Sequence, residues 1–297
     1  MPEWTLATGD GVTLSGEDTG SGPPAGGANP VVLLHGLTAS RRNVVHGSRA
    51  LERAGHRVIA YDARGHGRSS APTHAPGAGE PSPYGYPRLA GDLAAVLDAA
   101  GVASSHDHDA SPTGGRAVLA GVSMGAHTVI RFALDHPERV AALVLITPAF
   151  DPRLERGEDE LAGWDALARG LREGGIEGFL AAYDLEQLPA TTRETVTTAV
   201  RQRMAAHEHL DAVADALEAV PRSRPFDALA DLTAIAAPTV VIASRDEIDA
   251  RHPLAVGESY ARSIAGAELL VEEEGSSPLA WQGGRVSRVI AELAAGA

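Results

Sequence analysis

The chain has 297 residues and a formal charge of −14, with 25 basic residues against 39 acidic ones; every basic residue is arginine, and there is no cysteine. The absence of lysine and cysteine excludes a lysine Schiff base, a P-loop lysine, a cysteine nucleophile, a thiolate metal site and a disulfide framework. The acidic balance argues against a nucleic-acid backbone or an anionic membrane surface as partner. No run reaches the roughly 18 apolar residues of a membrane span, and Met1-Pro2-Glu3-Trp4 does not begin a signal-like segment, so a cytoplasmic location and a small-molecule partner are expected.

Two extended segments, 3–8 and 12–18, open the chain and are joined through Gly9-Asp10-Gly11, a hairpin signal. After a Gly/Pro/Ala loop, Val31-Val32-Leu33-Leu34 is a continuous apolar run of the kind found in strands buried on both faces. Similar runs recur at 57–61, 117–120, 140–146, 239–243 and 268–271, and helical patterns lie at 43–54, 87–100, 124–135, 253–264 and 284–293. This alternation predicts an α/β fold with a mostly parallel sheet covered on both faces. From 148 to 230 the rhythm changes to helices alone (158–173, 176–184 and 191–220), which predicts a helical lid over one end of the sheet. Trp164, Phe179 and Tyr183 are candidates for its inner surface or for its packing. The predicted organisation is a core from 1–147 and 231–297 interrupted by this lid.

The strongest local signal is Gly121-Val122-Ser123-Met124-Gly125, between a predicted strand and a predicted helix. Glycines there permit a turn sharp enough to project the serine from the sheet, while the helix N-terminus offers partial positive charge. With His35-Gly36-Leu37 after one strand and Tyr61-Asp62-Ala63-Arg64-Gly65-His66-Gly67-Arg68-Ser69-Ser70 after another, the chain resembles the α/β-hydrolase superfamily, in its lidded serine-nucleophile branch. The resemblance implies an eight-stranded, mostly parallel sheet and a nucleophile, acid and histidine in that chain order. It implies an oxyanion hole from the backbone N–H groups of Leu37 and Met124, with His35 and Gly36 beside the substrate, and no cofactor.

The acid is expected after the strand at 239–243, where Asp246, Glu247 and Asp249 crowd together. The family's usual proline four residues after the acid favours Asp249, four before Pro253, whereas counting from Pro238 favours Asp246 or Glu247. Ser276 occupies the expected histidine position, and no histidine follows His252. A serine hydroxyl cannot accept the nucleophile's proton near neutral pH as imidazole does. His252, three residues from Asp249, is the candidate displaced base, with a surface or structural role as the alternative; His127, His35 and His66 are expected to be structural. The vacancy at 276 predicts slow reaction of Ser123 with a fluorophosphonate and faster ester turnover in Ser276→His.

His106-Asp107-His108-Asp109 and His207-Glu208-His209 lack metal-ligand spacing and read as solvated segments; no metal is expected. Three functions fit these residues. The first is a hydrolase of a carboxylic ester, lactone or thioester through Ser123, with an incomplete or displaced triad. The others are a non-hydrolytic biosynthetic enzyme (cyclisation, elimination or isomerisation) and a noncatalytic small-molecule binder with the same pocket.

Overall fold

The computed structural model describes residues 2–20, 29–73, 81–102, 115–154, 157–183, 185, 190–246, 251–274, 281 and 283–297. Eight strands form one sheet in the order β1-β2-β4-β3-β5-β6-β7-β8. They are β1 (Glu3–Ala7), β2 (Thr13–Asp18), β3 (Val31–Leu34), β4 (Val58–Asp62), β5 (Ala117–Val122), β6 (Val140–Ile146), β7 (Thr239–Ala243) and β8 (Glu268–Val271). β1 pairs with β2 and β2 with β4 antiparallel; every other pair is parallel. The hairpin expected around Gly9-Asp10-Gly11 joins β1 to β2, with Ala7 opposite Thr13 and Gly11 at φ 85°.

Strand periodicity divides the core between the two faces. Val32 and Leu34 of β3 pack with Leu93 of α2 (Tyr86–Ala99), Val129 of α3 (Met124–Asp135) and Val256 and Tyr260 of α7 (Leu254–Ser263). Val31 and Leu33 point the other way, onto Leu51 of α1 (Ala50–Arg53) and Val286 and Ile290 of α8 (Gly283–Ala295). The central strands are therefore apolar at successive positions because each face has its own helical layer.

The expected helix over 43–54 is reduced to the single turn of α1. His46 and Gly47 take φ of 45° and 72°, a left-handed pair that no α-helix continues through. Between β6 and β7 lie α4 (Glu158–Ala182), α5 (Ala190–Met204) and α6 (Leu210–Ala219), which share a core of Leu167, Leu171, Phe179, Met204, Val213 and Leu217. α4 is kinked at Gly175 (φ 59°), and its two arms meet where Gly170 and Gly178 approach so closely that a Cβ on Gly170 would stand 2.4 Å from the Gly178 carbonyl oxygen. The single helix expected over 191–220 is two helices, because the intervening His207 and Glu208 are bonded to the Gly67 loop.

Ion pairs fix the loop after β4. Arg64, fully buried, donates to both oxygens of Asp92 on α2 at 2.6 and 2.7 Å and reaches Asp10 at the hairpin tip. Asp62 accepts from the Arg41 guanidinium, from Arg41 N at 2.8 Å and from Arg68 N at 3.1 Å.

The glycines of the turn after β5 carry the tightest packing. A Cβ on Gly125 would sit 2.3 Å from the Leu34 carbonyl oxygen, and one on Gly121 would sit 2.3 Å from backbone atoms of Gly125. Gly91 lies on the exposed side of α2, and a Cβ there would meet nothing within 4 Å. In urea unfolding, Gly125→Ala is expected to cost more than about 3 kcal/mol or to prevent folding. Gly91→Ala is expected to add about 0.5–1 kcal/mol, because only the helix propensity changes.

Candidate active site

Ser123 stands between β5 and α3 with φ 49° and ψ −109°, a conformation outside the regions L-residues ordinarily adopt. Its N–H donates to the Ile146 carbonyl at 2.9 Å, and its own carbonyl accepts from His127 N–H at 3.0 Å, so strand and helix hold the strained residue from both sides. Thr38 (φ 63°) and Thr147 (φ 45°) are left-handed as well, at the ends of the turn after β3 and of β6. The glycines free the backbone of side chains where it must turn, and the β6 ladder holds the turn in place.

His252 Nε2 lies 2.9 Å from Ser123 Oγ. His252 belongs to the segment leading into α7, one residue before its N-cap Pro253. An imidazole with Nε2 unprotonated can accept the serine proton across that distance. Asp249 and Glu247 lie outside the described residues, as does Ser276. Asp246 is exposed, and its Oδ1 accepts from Leu254 N–H at 2.8 Å, capping α7.

Ser123 and His252 border a cavity of about 350 Å³, whose wall includes Gly36, Leu37, Met124, Trp164, Phe179 and Tyr183. The three aromatic residues serve both as cavity wall and as packing for the α4–α6 core. Gly36 comes so near Ser123 that a Cβ there would meet Ser123 Cβ at 3.5 Å. Met124 opens α3, so its N–H has no acceptor within the helix.

His35 lies beneath this turn with both nitrogens bonded to backbone. Nδ1–H donates to the Gly36 carbonyl at 2.8 Å, and Nε2 accepts from Ala63 N–H at 2.9 Å. His127 lines the cavity but is likewise engaged: Nε2 accepts from Ala149 and Phe150 N–H at 3.1 Å each, and Nδ1 meets the Tyr86 hydroxyl at 3.0 Å.

A family model described as the alpha/beta hydrolase fold matches residues 29–248. The chain belongs to the α/β-hydrolase family. The 2-hydroxy-6-oxononadienedioate/2-hydroxy-6-oxononatrienedioate hydrolase of Burkholderia vietnamiensis is 30% identical over 86% of this chain and 81% of its own length. Rhodomycin D methylesterase DauP of a Streptomyces species is 34% identical over 64% of this chain and 57% of its own. A thermophilic esterase from Thermogutta terrifontis superposes with a TM-score of 0.72 at 26% identity, covering 98% of this chain and 97% of that one.

In this α/β-hydrolase His207 departs from the solvated segment expected of it and its neighbours: it is 7% exposed. Its Nδ1 accepts from Gly67 N–H at 2.8 Å, and its Nε2–H donates to the Thr38 carbonyl at 3.0 Å. It therefore ties the chain between α5 and α6 to the loops after β3 and β4. No local signal marks this role, since its partners lie 140 and 169 residues away. The ring of His66 meets His35 at a tilt of 53° and His207 edge-on at 75°, with centroids 5.2 and 5.6 Å apart. Burial holds His35 below the ordinary histidine value, and burial with the neighbouring rings holds His66 well below it. Burial pushes His207 down to about 4. The pattern His106 to Asp109 lies outside the described residues, among which no cluster suited to a metal occurs and no helix is long and apolar enough to cross a membrane.

A histidine whose folded-state value lies below its unfolded value, 6.5 for His207, contributes its full stability above that unfolded value. As pH falls from about 6.5 towards about 4, the unfolded chain takes up a proton that the folded one refuses, and stability declines. His207 alone is expected to account for about 3 kcal/mol over that window, with His35 and His66 acting in the same direction. Urea midpoints at pH 7 and pH 5 measure the slope. His207→Gln, which keeps a donor and an acceptor but does not titrate, is expected to flatten it.

Proposed function

We propose that this α/β-hydrolase is a serine hydrolase of a carbonyl substrate (carboxylic ester, lactone or thioester) in which His252 serves as the base normally supplied after the last strand. The observation that carries this reading is the 2.9 Å separation of His252 Nε2 from Ser123 Oγ. In the proposed cycle Nε2 takes the serine proton as Oγ bonds to the carbonyl carbon, and the carbonyl oxygen becomes an oxyanion held by the N–H groups of Leu37 and Met124. Collapse expels the alcohol or thiol, which receives the proton from Nε2 and leaves an acyl-Ser123. Water, giving its proton to His252, then releases the carboxylate and restores the serine.

Asp249 is the proposed orienting acid, three residues before His252. Asp246 suits that role less, because its carboxylate caps α7. Gly36 is assigned to the substrate wall, and His35 to shaping the turn that presents Gly36 and Leu37. The helical stretch 148–230 is proposed as a lid on a core made of 1–147 and 231–297, in support of which Trp164, Phe179 and Tyr183 line the cavity. The partner is a small molecule, and the cycle calls for no cofactor. The noncatalytic alternative leaves a histidine at the Ser123 hydroxyl with nothing to do.

With His252 at that distance, the expected outcome differs from the one drawn from position 276. A fluorophosphonate should label wild type at Ser123, and Ser123→Ala should abolish both labelling and turnover of p-nitrophenyl butyrate. His252→Gln should lower kcat/KM by about 10³-fold or more, while Ser276→His should change it little. Undiminished turnover in His252→Gln would remove His252 from the mechanism; an unlabelled wild type would favour the non-hydrolytic or binding alternatives.

A further inference from the structure

The cavity at Ser123 holds a cation that the proposed cycle does not use. Arg203, in the last turn of α5, lines it together with Asn43 and His46. Its Nε is buried and has no hydrogen-bond partner among the described residues. It also forms no ion pair among them, although Arg201 on the same helix holds Glu177 at 2.7 Å, Arg172 holds Asp215 and Glu218 at 2.6 Å each, and Arg222 holds Asp165 at 2.8 Å. Acidic residues outnumber basic ones by 39 to 25 in this chain, so an arginine that faces the cavity with no carboxylate bound to it among the described residues is not explained by a shortage of partners.

The surroundings of Arg203 are those of an anion site. The solvent His46 has lost, and then the charge of Arg203, hold this histidine below its ordinary value, and the same charge reaches His207 beside Thr38. Arg203 shares the cavity wall with Leu37 and Thr38. Asn43 accepts from Ser40 through Oδ1, at 2.8 Å from the N–H, which leaves its amide NH₂ as a donor. Glu160, the acidic residue lining the cavity among those described, stands with Arg251 and Trp164 where the cavity adjoins a second space of about 440 Å³, and Arg203 has no part in the wall of that second space. A guanidinium partly removed from water and left unpaired is costly, and a planar carboxylate offsets that cost through two parallel N–H···O bonds.

We propose that Arg203, with the Asn43 amide beside it, receives a free carboxylate of the substrate, so that the enzyme selects esters carrying a second, ionised carboxyl group over neutral esters of equal length. This inference rests on the hydrolase reading given above. The cavity lies in a chain of charge −14, which disfavours anions at long range; Arg203 reverses that preference locally, where the charge is least screened by water.

The test compares kcat/KM for p-nitrophenyl monoesters of adipate, pimelate and suberate with the neutral hexanoate, heptanoate and octanoate esters. Wild type is expected to favour one member of the anionic series by about tenfold or more over its neutral counterpart. Arg203→Gln should bring that ratio to near one, and Arg203→Lys should restore part of it. A ratio equal in wild type and Arg203→Gln, or a wild-type preference for the neutral esters, would overturn the proposal. A merely structural role for Arg203 would lower both series together and leave the ratio unmoved. Calorimetric titration of Ser123→Ala with the free dicarboxylates separates this inference from the hydrolase reading. Should no ester be turned over and Ser123 remain unlabelled, the hydrolase reading fails; binding that weakens about tenfold in Ser123→Ala/Arg203→Gln would still support the anion site, and undetectable or Arg203-independent binding would overturn it.

Discussion

The turn at Ser123 is the constraint on which the rest of the site depends. A serine at φ 49° is held there because its neighbours leave no other path: Gly125 lies against the Leu34 carbonyl, Gly121 lies against Gly125, and the Ser123 N–H is bonded into the β6 ladder through Ile146. The same close approach brings the end of β3 beside the end of β5. Gly36 and Leu37 therefore share a cavity wall with Ser123. Strain at one residue is sustained by a sheet whose central strands are buried on both faces.

Around that turn the loops are held by buried ion pairs and histidines. Arg64 with Asp92, and Asp62 with Arg41, fix the loop after β4; His35 and His127 fix the backbone on either side of Ser123. These side chains spend their polar atoms on backbone, on an opposite charge or, for His127 Nδ1, on the Tyr86 hydroxyl, as burial requires. His207 extends this scaffold to the helical insertion, since one ring bonds the chain between α5 and α6 to both the Thr38 and the Gly67 loops. The roof of the cavity is thereby fastened to the turn that carries Leu37, and the fastening depends on a neutral ring.

The position of His252 shows how a sheet end can supply the same contact from a different loop. Parallel strands β7 and β8 are neighbours, so the loops that follow them leave the same edge of the sheet. An imidazole carried by the segment before α7 reaches Ser123 Oγ at 2.9 Å although position 276 carries serine. What matters for proton transfer is the distance between two atoms, and that distance is set by convergence of loops rather than by order in the chain.

The alternation of apolar runs with helical patterns, and the glycines around Ser123, determined the eight strands, the sheet class and the sharp turn that carries Ser123, because strand and helix periodicity and sharp turns are local properties written in adjacent residues. Tertiary structure decided the rest. It split 191–220 at His207, ended the helix at 43–54 at the left-handed pair His46-Gly47, set His252 against Ser123, and turned Arg203 into the cavity. For His207 and His252 the deciding neighbours are more than a hundred residues away. A pattern read along the chain carries no information about such encounters until the sheet has brought the loops together.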